Sequence, residues 1–200
     1  MVSTPREAET KPLVLHLPLP EDLSFLHAGD QVLLYGPVLT ARDAAHRRMV
    51  ETWARGREIP FSLEGETIYY VGPCPAPPGW TIGSAGPTTS GRMDQYTPAL
   101  LARGLRGMIG KGARSEEVVR AIVAHGAVYF AALGGAGALL ARCVKRVEEV
   151  AYPDLGTEAV RRFWLDGFPA VVAVDPQGHD LYREGPKMYA RTGGKHQPAV

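Results

Sequence analysis

Five short, largely apolar stretches recur along the chain with polar or helix-patterned sequence between them: QVLLYG (31–36), TIYYVG (67–72), LRGMIG (105–110), AVYFAALGG (127–135) and PAVVAVD (169–175). A strand with one wet face alternates apolar and polar residues; these runs are apolar at successive positions and therefore need cover on both faces. Helices laid over a sheet supply that cover. The expected class is α/β, a layered, largely buried sheet with flanking helices.

The segments between the runs carry helix signals. In TARDAAHRRMVETWARG (40–56), Thr40 and Asp43 have capping-box spacing and Gly56 sits where a helix stops, which predicts a helix from Ala41 to Arg55. Thr97 and Pro98 form a second start, a hydroxyl cap with proline in the first turn. Ser115, followed by Glu116 and Glu117, opens a third, with Val118, Val119, Ile122 and Val123 on one face and Gly126 at its end. AGALLARCVKRVEEV (136–150) reads as a helix before a strand near Glu149 to Tyr152, and GTEAVRRFWLDG (156–167) as a last helix. PLVLHLPLP (12–20) reads as an edge strand, because its prolines cannot donate to a ladder. The expected organisation is one domain over residues 11–183, with flexible tails at 1–10 and 184–200.

Charge excludes several function classes. Lys and Arg number 22 against 21 Asp and Glu, so no concentrated basic surface is available for nucleic acid or for an anionic membrane. No apolar run approaches the roughly 20 residues of a membrane span, and the first residues, MVSTPREAETKP, lack the apolar core of a signal peptide; a cytoplasmic location is expected. Cys74 and Cys143 are the two cysteines, without CxxC spacing, so the sequence indicates no metal site. They are too few for the roughly four thiolates of an iron–sulfur cluster.

The stretch AGPTTSGRMD (85–94) lies between a predicted strand and a predicted helix, where free backbone N–H groups and the positive end of a helix dipole favour an anion. Gly86 and Gly91 allow close approach, Thr88, Thr89 and Ser90 offer hydroxyls, and Arg92 suits a carboxylate. A turn with a capping hydroxyl and a solvated arginine is the plainer alternative. Arg42, at the start of its helix, faces the unfavourable end of the dipole, so two arginines suggest one shared anion; pairing of Arg42 with Asp43 and of Arg92 with Asp94 is the competing reading. GMIGKGARS (107–115) fails as a phosphate loop, because the required glycine and hydroxyl positions hold Leu105 and Gly112. Lys111 remains as a lysine between glycines at a strand end. His46 follows Arg42 by one helical turn and is read as a half-buried polar residue ahead of a proton donor. GGAGALL (134–140) lacks the dinucleotide pattern and is read as close packing of a helix on the sheet.

GDQVLLYGPVLTARDAAHRR, GPCPAPPGWTIGSAGPTTSGRMDQYTPALLARGLRGMIGKG and AVYFAALGGAGALLA, in that order, resemble the C-terminal domain, or beta subunit, of iron–sulfur-dependent class I fumarases and L(+)-tartrate dehydratases. The resemblance implies the swivelling β/β/α fold. It implies a [4Fe–4S] cluster held by a partner alpha subunit and not by this chain, an α2β2 hetero-tetramer, and a small dicarboxylate substrate. It also implies residue roles: Arg42, Arg92 and Lys111 match carboxylate-binding positions, and Thr88 matches a position implicated in proton transfer, a contact first and a base second. Asp43, His46, Thr89 and Asp94 are supporting candidates. Fumarate hydratase is the expected activity, tartrate dehydratase the runner-up, and a non-catalytic anion-binding or regulatory module the alternative of another class.

Overall fold

The structure, a computed structural model, describes residues 11–189. Expectations for residues 1–10 and 190–200 lie outside the described residues. Within them, strands β1 (Leu13–His16), β2 (Gln31–Thr40), β3 (Thr67–Tyr69), β4 (Gly107–Gly110), β5 (Val128–Ala131), β6 (Val144–Ala151) and β7 (Val160–Val174) form one seven-stranded sheet. Helices α1 (Asp43–Ala54), α2 (Thr97–Leu101), α3 (Glu116–His125), α4 (Gly137–Arg142) and α5 (Leu181–Tyr189) complete a mixed α/β architecture. No helix among the described residues is long and apolar enough to cross a membrane.

Strands β1 to β5 run parallel in the order of the sequence, and β7 runs antiparallel to β2, β5 and β6. Because β7 pairs with β2 along most of its length and with β5 at its far end, the pairings β2–β3–β4–β5–β7–β2 close on themselves. β1 and β6 flank that ring. β1 pairs with β2 alone and leaves Val14 exposed, as an edge strand does.

The ring explains the unbroken apolar runs. Successive residues point to opposite faces of a strand, and here both faces are buried. Tyr69, Ile109, Val128 and Phe130 join Leu34, Val38, Phe163 and Phe168 in one core. Their neighbours Ile68, Met108 and Tyr129 join Ala45 and Met49 of α1, Leu100 of α2, and Val118 and Ile122 of α3 in the other. Each fully buried large apolar side chain contributes about 1.5–3 kcal/mol.

α3 follows its sequence signals: Ser115 Oγ accepts from Val118 N at 3.3 Å, and Gly126 closes the helix at φ 59°. Val123 is exposed rather than sharing the buried face. Other signals were used differently. Thr40 ends β2, where its hydroxyl accepts from Arg161 N at 3.1 Å, and α1 starts after Arg42 with no side-chain cap of its own. Thr97 lies inside α2 and donates back to Met93 O at 2.9 Å.

Two predicted helices are strands over much of their length. Val144, Val147 and Ala151 have helix-like spacing, yet they lie in β6, whose register shifts twice against β7 and so abandons strict alternation. In β7, Val160 and Phe163 fall in opposite cores, as an odd separation requires of a strand. The helix expected there is replaced by a 3₁₀ segment, Pro153–Glu158, ahead of the strand. α5 runs through Tyr189, past the expected end of the folded part at residue 183.

Candidate functional site

Backbone bonds fix the 85–94 stretch against the sheet. Thr88 N donates to Tyr70 O at 2.7 Å, Lys111 N to Thr88 O at 3.3 Å, and Ser90 N to Lys111 O at 2.9 Å. The stretch thus adds a parallel bridge, Thr89 to Lys111, just beyond the end of β4. Ser90 is buried; Tyr129 Oη donates to Gly112 O at 2.9 Å, so its 2.9 Å contact with Ser90 Oγ has the serine as donor. A Cβ at Gly110 would overlap Ser90 Oγ, so glycine there lets the loop reach the sheet. At the other end, Ala85 N donates to Gly137 O at 3.0 Å, so the GGAGALL segment packs closely, as expected, but against this loop.

The 3₁₀ turn Ser90–Met93 then turns Arg92 outward. Its Nη2 donates to Thr88 Oγ1 at 2.9 Å and lies 3.1 Å from Asp43 Oδ2. Arg42, the residue before α1, places Nε 3.9 Å from the same Asp43 oxygen and Nη2 3.4 Å from Glu158 Oε1. Two arginines from distant segments therefore meet on one carboxylate. Lys111 is tied to the same loop by its backbone contacts with Thr88 and Ser90, while its side chain runs beside Gly134 and makes no ion pair with Asp43 or Glu158. The hydroxyls divide their tasks: Thr88 faces Arg92, Ser90 anchors the loop, and Thr89 is exposed.

The other candidates lie beneath the site. His46 is fully buried, with Nδ1 2.8 Å from Arg42 O; a carbonyl only accepts, so the proton is on Nδ1 and Nε2 is left without a partner. Burial pulls its pKa down to about 4, so the ring is neutral at pH 7 and braces the start of α1 between Tyr70 and Tyr96. Asp94 does not pair with Arg92. It turns inward to Arg114 Nε at 2.7 Å and Ser115 N at 2.7 Å.

Arg114 and Glu158 escaped the sequence reading. The Arg114 side chain is 0% exposed, donates to Thr97 Oγ1 at 2.8 Å and stacks over Tyr129 at 4.9 Å. Its one sequence signal is an arginine directly before a capping serine, which does not reveal burial. Glu158 sat within a predicted helix and had no visible partner. Cys74 is exposed and Cys143 is partly buried, and no group of three His, Cys, Asp or Glu side chains among the described residues could hold a metal ion.

The profile of a family described as "Fumarase C-terminus" matches residues 3–185. The aerobic class I fumarate hydratase of Salmonella typhimurium is 38% identical over 183 residues, 89% of this chain and 32% of that protein. Fumarate hydratase 2 of Leishmania major is 39% identical over 164 residues, 81% of this chain and 29% of that protein. The chain thus spans about a third of the length of these relatives. A Methanocaldococcus jannaschii protein named "Putative L(+)-tartrate dehydratase subunit beta" is 37% identical over 178 residues, 86% of this chain and 91% of that protein. The chain belongs to the fumarase C-terminus family.

Proposed function

We propose that the chain is the beta subunit of an iron–sulfur-dependent hydro-lyase that interconverts (S)-malate and fumarate, and that its fold is the swivelling β/β/α type. The observation that carries this reading is the meeting of Arg42 and Arg92 on Asp43 Oδ2, beside the Thr88 hydroxyl. A site that gathers two guanidinium groups around one internal carboxylate is chemically suited to receive a second, from a small diacid.

Loss of water from malate begins at a carbon next to a carboxylate, and removal of its proton builds charge on that carboxylate. Fixed cations stabilise such charge without reorganising, which is where a folded site gains most over water. Arg42 and Arg92 hold and orient the diacid, and Lys111, at the end of β4, adds a third cation at the margin. Thr88 accepts from Arg92, which leaves its own proton free to donate to substrate; the neighbouring guanidinium also stabilises the hydroxyl in its deprotonated form.

A [4Fe–4S] cluster does not fit this chain. Cys74 is exposed in the proline-rich loop, Cys143 Sγ faces Gly167 O at 3.7 Å, and no third ligand joins either among the described residues. In this reading the cluster belongs to an alpha subunit, in an α2β2 assembly. Tartrate dehydratase is the second reading, favoured by a relative of matching length whose name assigns it to a beta subunit. The carboxylate clamps serve both substrates alike. Anaerobic co-expression with a cysteine-bearing partner, followed by assays with fumarate, malate and L-tartrate, tests the proposal: turnover of fumarate and malate supports it, and turnover of L-tartrate alone replaces it with the second reading. A complex inactive on all three refutes both.

A further inference from the structure

α1 begins without a side-chain cap of its own, because the residue at the cap position is Arg42, a cation at the positive end of the helix. The missing acceptor comes from far along the chain: Glu158 Oε2 accepts from Ala44 N at 2.8 Å. The other oxygen of the same carboxylate lies 3.4 Å from Arg42 Nη2. One acid thus satisfies the helix start and offsets the cation that the helix start disfavours.

The placement of Glu158 is fastened on both sides. Arg48 of α1 makes two 2.7 Å bonds to the Asp154 carboxylate, tying the Pro153–Glu158 segment to the helix. Arg161 Nη2 donates to Gly156 O at 2.7 Å, tying the segment to β7. The Glu158 side chain is 21% exposed, and Arg42 Nε is buried with no hydrogen-bond partner. Gly72 lies against the guanidinium, where a Cβ would stand 2.6 Å from Nη1. Arg42 therefore has one wall at Gly72, one anionic anchor at Glu158, and an unpartnered Nε near Asp43.

We infer that Glu158 is a positioning residue for the diacid site: its charge draws the Arg42 Nη2 edge to 3.4 Å and keeps Nε at 3.9 Å from Asp43 Oδ2, beyond hydrogen-bond distance, so that Arg92 holds the closer 3.1 Å contact and Arg42 stays available to substrate. The inference rests on the hydro-lyase reading of that site. Without the Glu158 charge, Arg42 turns to Asp43, its nearest remaining acid, and the two arginines compete for it.

The test compares Glu158→Gln, Glu158→Ala and Asp154→Ala in the co-expressed complex. Glu158→Gln keeps an acceptor for Ala44 N but removes the charge facing Arg42, so KM for fumarate rises about tenfold while kcat stays within about twofold, the pattern of lost binding common to ground and transition states. Glu158→Ala shows the same rise in KM together with a lower Tm. Asp154→Ala, which loosens the segment but leaves the Glu158 charge in place, lowers Tm and raises KM by no more than about threefold. An unchanged KM in Glu158→Gln, or an equal rise in Asp154→Ala, overturns the inference.

A readout independent of activity uses the chain with 15N-labelled arginine. The Nε–H of Arg42 is buried and has no hydrogen-bond partner; its resonance, assigned through Arg42→Lys, moves downfield in Glu158→Gln as it gains Asp43 as acceptor. An unchanged resonance overturns the inference. A wild-type complex inactive on every diacid tested counts against the hydro-lyase reading, and the resonance position then decides the role of Glu158 alone.

Discussion

Asp43 Oδ2 lies 3.1 Å from Arg92 Nη2, and the Arg92 side chain is 47% exposed. An ion pair this open to solvent contributes about 0–1 kcal/mol to folding. It fixes the direction of a guanidinium more than it holds the molecule together. Asp43→Asn should therefore move Tm by no more than about 3 °C. In the isolated chain it should tighten the binding of fumarate measured by calorimetry, because the internal carboxylate no longer competes for Arg92. Weaker binding in the variant would mean that Asp43 supports the anion rather than standing in its place.

Gly72→Ala tests how closely Arg42 is placed. The added carbon would lie 2.6 Å from Nη1 and 3.0 Å from Cδ, and the side chain, being flexible, gives way rather than the backbone. A displaced guanidinium should cost about 10- to 100-fold in kcat/KM of the complex, with Tm changed by less than about 3 °C. Kinetics and a thermal melt on the same preparation check both halves.

The pair beneath the site behaves in the opposite way. Arg114 is 0% exposed, Asp94 is 14% exposed, and their contact is 2.7 Å. Breaking a buried pair by removing one partner leaves an uncompensated charge and costs about 3–5 kcal/mol. Asp94→Ala and Arg114→Ala should each lose that much in urea unfolding, and the double variant should lose less than the sum, since the two act as one unit.

Acid should weaken the fold through His46. In the unfolded chain its pKa returns to 6.5, whereas burial holds it at about 4 in the native state. Between these values the unfolded state binds a proton that the native state refuses, so stability is full above about pH 6.5 and falls as the pH is lowered towards 4. At about 1.4 kcal/mol for each pH unit, the loss attributable to this ring reaches roughly 3 kcal/mol. Urea midpoints at pH 7 and pH 4.5 should differ strongly in the wild type and much less in His46→Gln.

Legibility in the sequence followed how local each signal was. The α3 start at Ser115 and its stop at Gly126 depend on neighbours in the chain, and the structure uses them as read; the edge strand expected over Pro12–Pro20 is present but only as Leu13–His16, with the prolines outside it. Most of β6 and the first half of β7 read as helical because bulges and opposite-face burial gave Val144, Val147, Val160 and Phe163 helix-like spacings, whereas the second half of β7, within PAVVAVD, is the strand that was expected. The structure brings Arg42 and Arg92 to one carboxylate, Asp43, the acid that the competing reading paired with Arg42. The other acids were not legible: Asp94 belongs to Arg114 rather than Arg92, and Glu158 reaches Ala44 across more than half of the chain. Partners fixed by tertiary closure leave no periodicity to read.

The most direct measurement is kcat/KM for fumarate and malate in the complex carrying Arg92→Ala. Arg92 projects into solvent and its side chain contacts Thr88 and Asp43, so the account predicts an intact complex, Tm within about 3 °C of wild type, and activity reduced at least about 100-fold. Near-wild-type kcat/KM in a correctly assembled complex would contradict the claim that these cations receive the diacid.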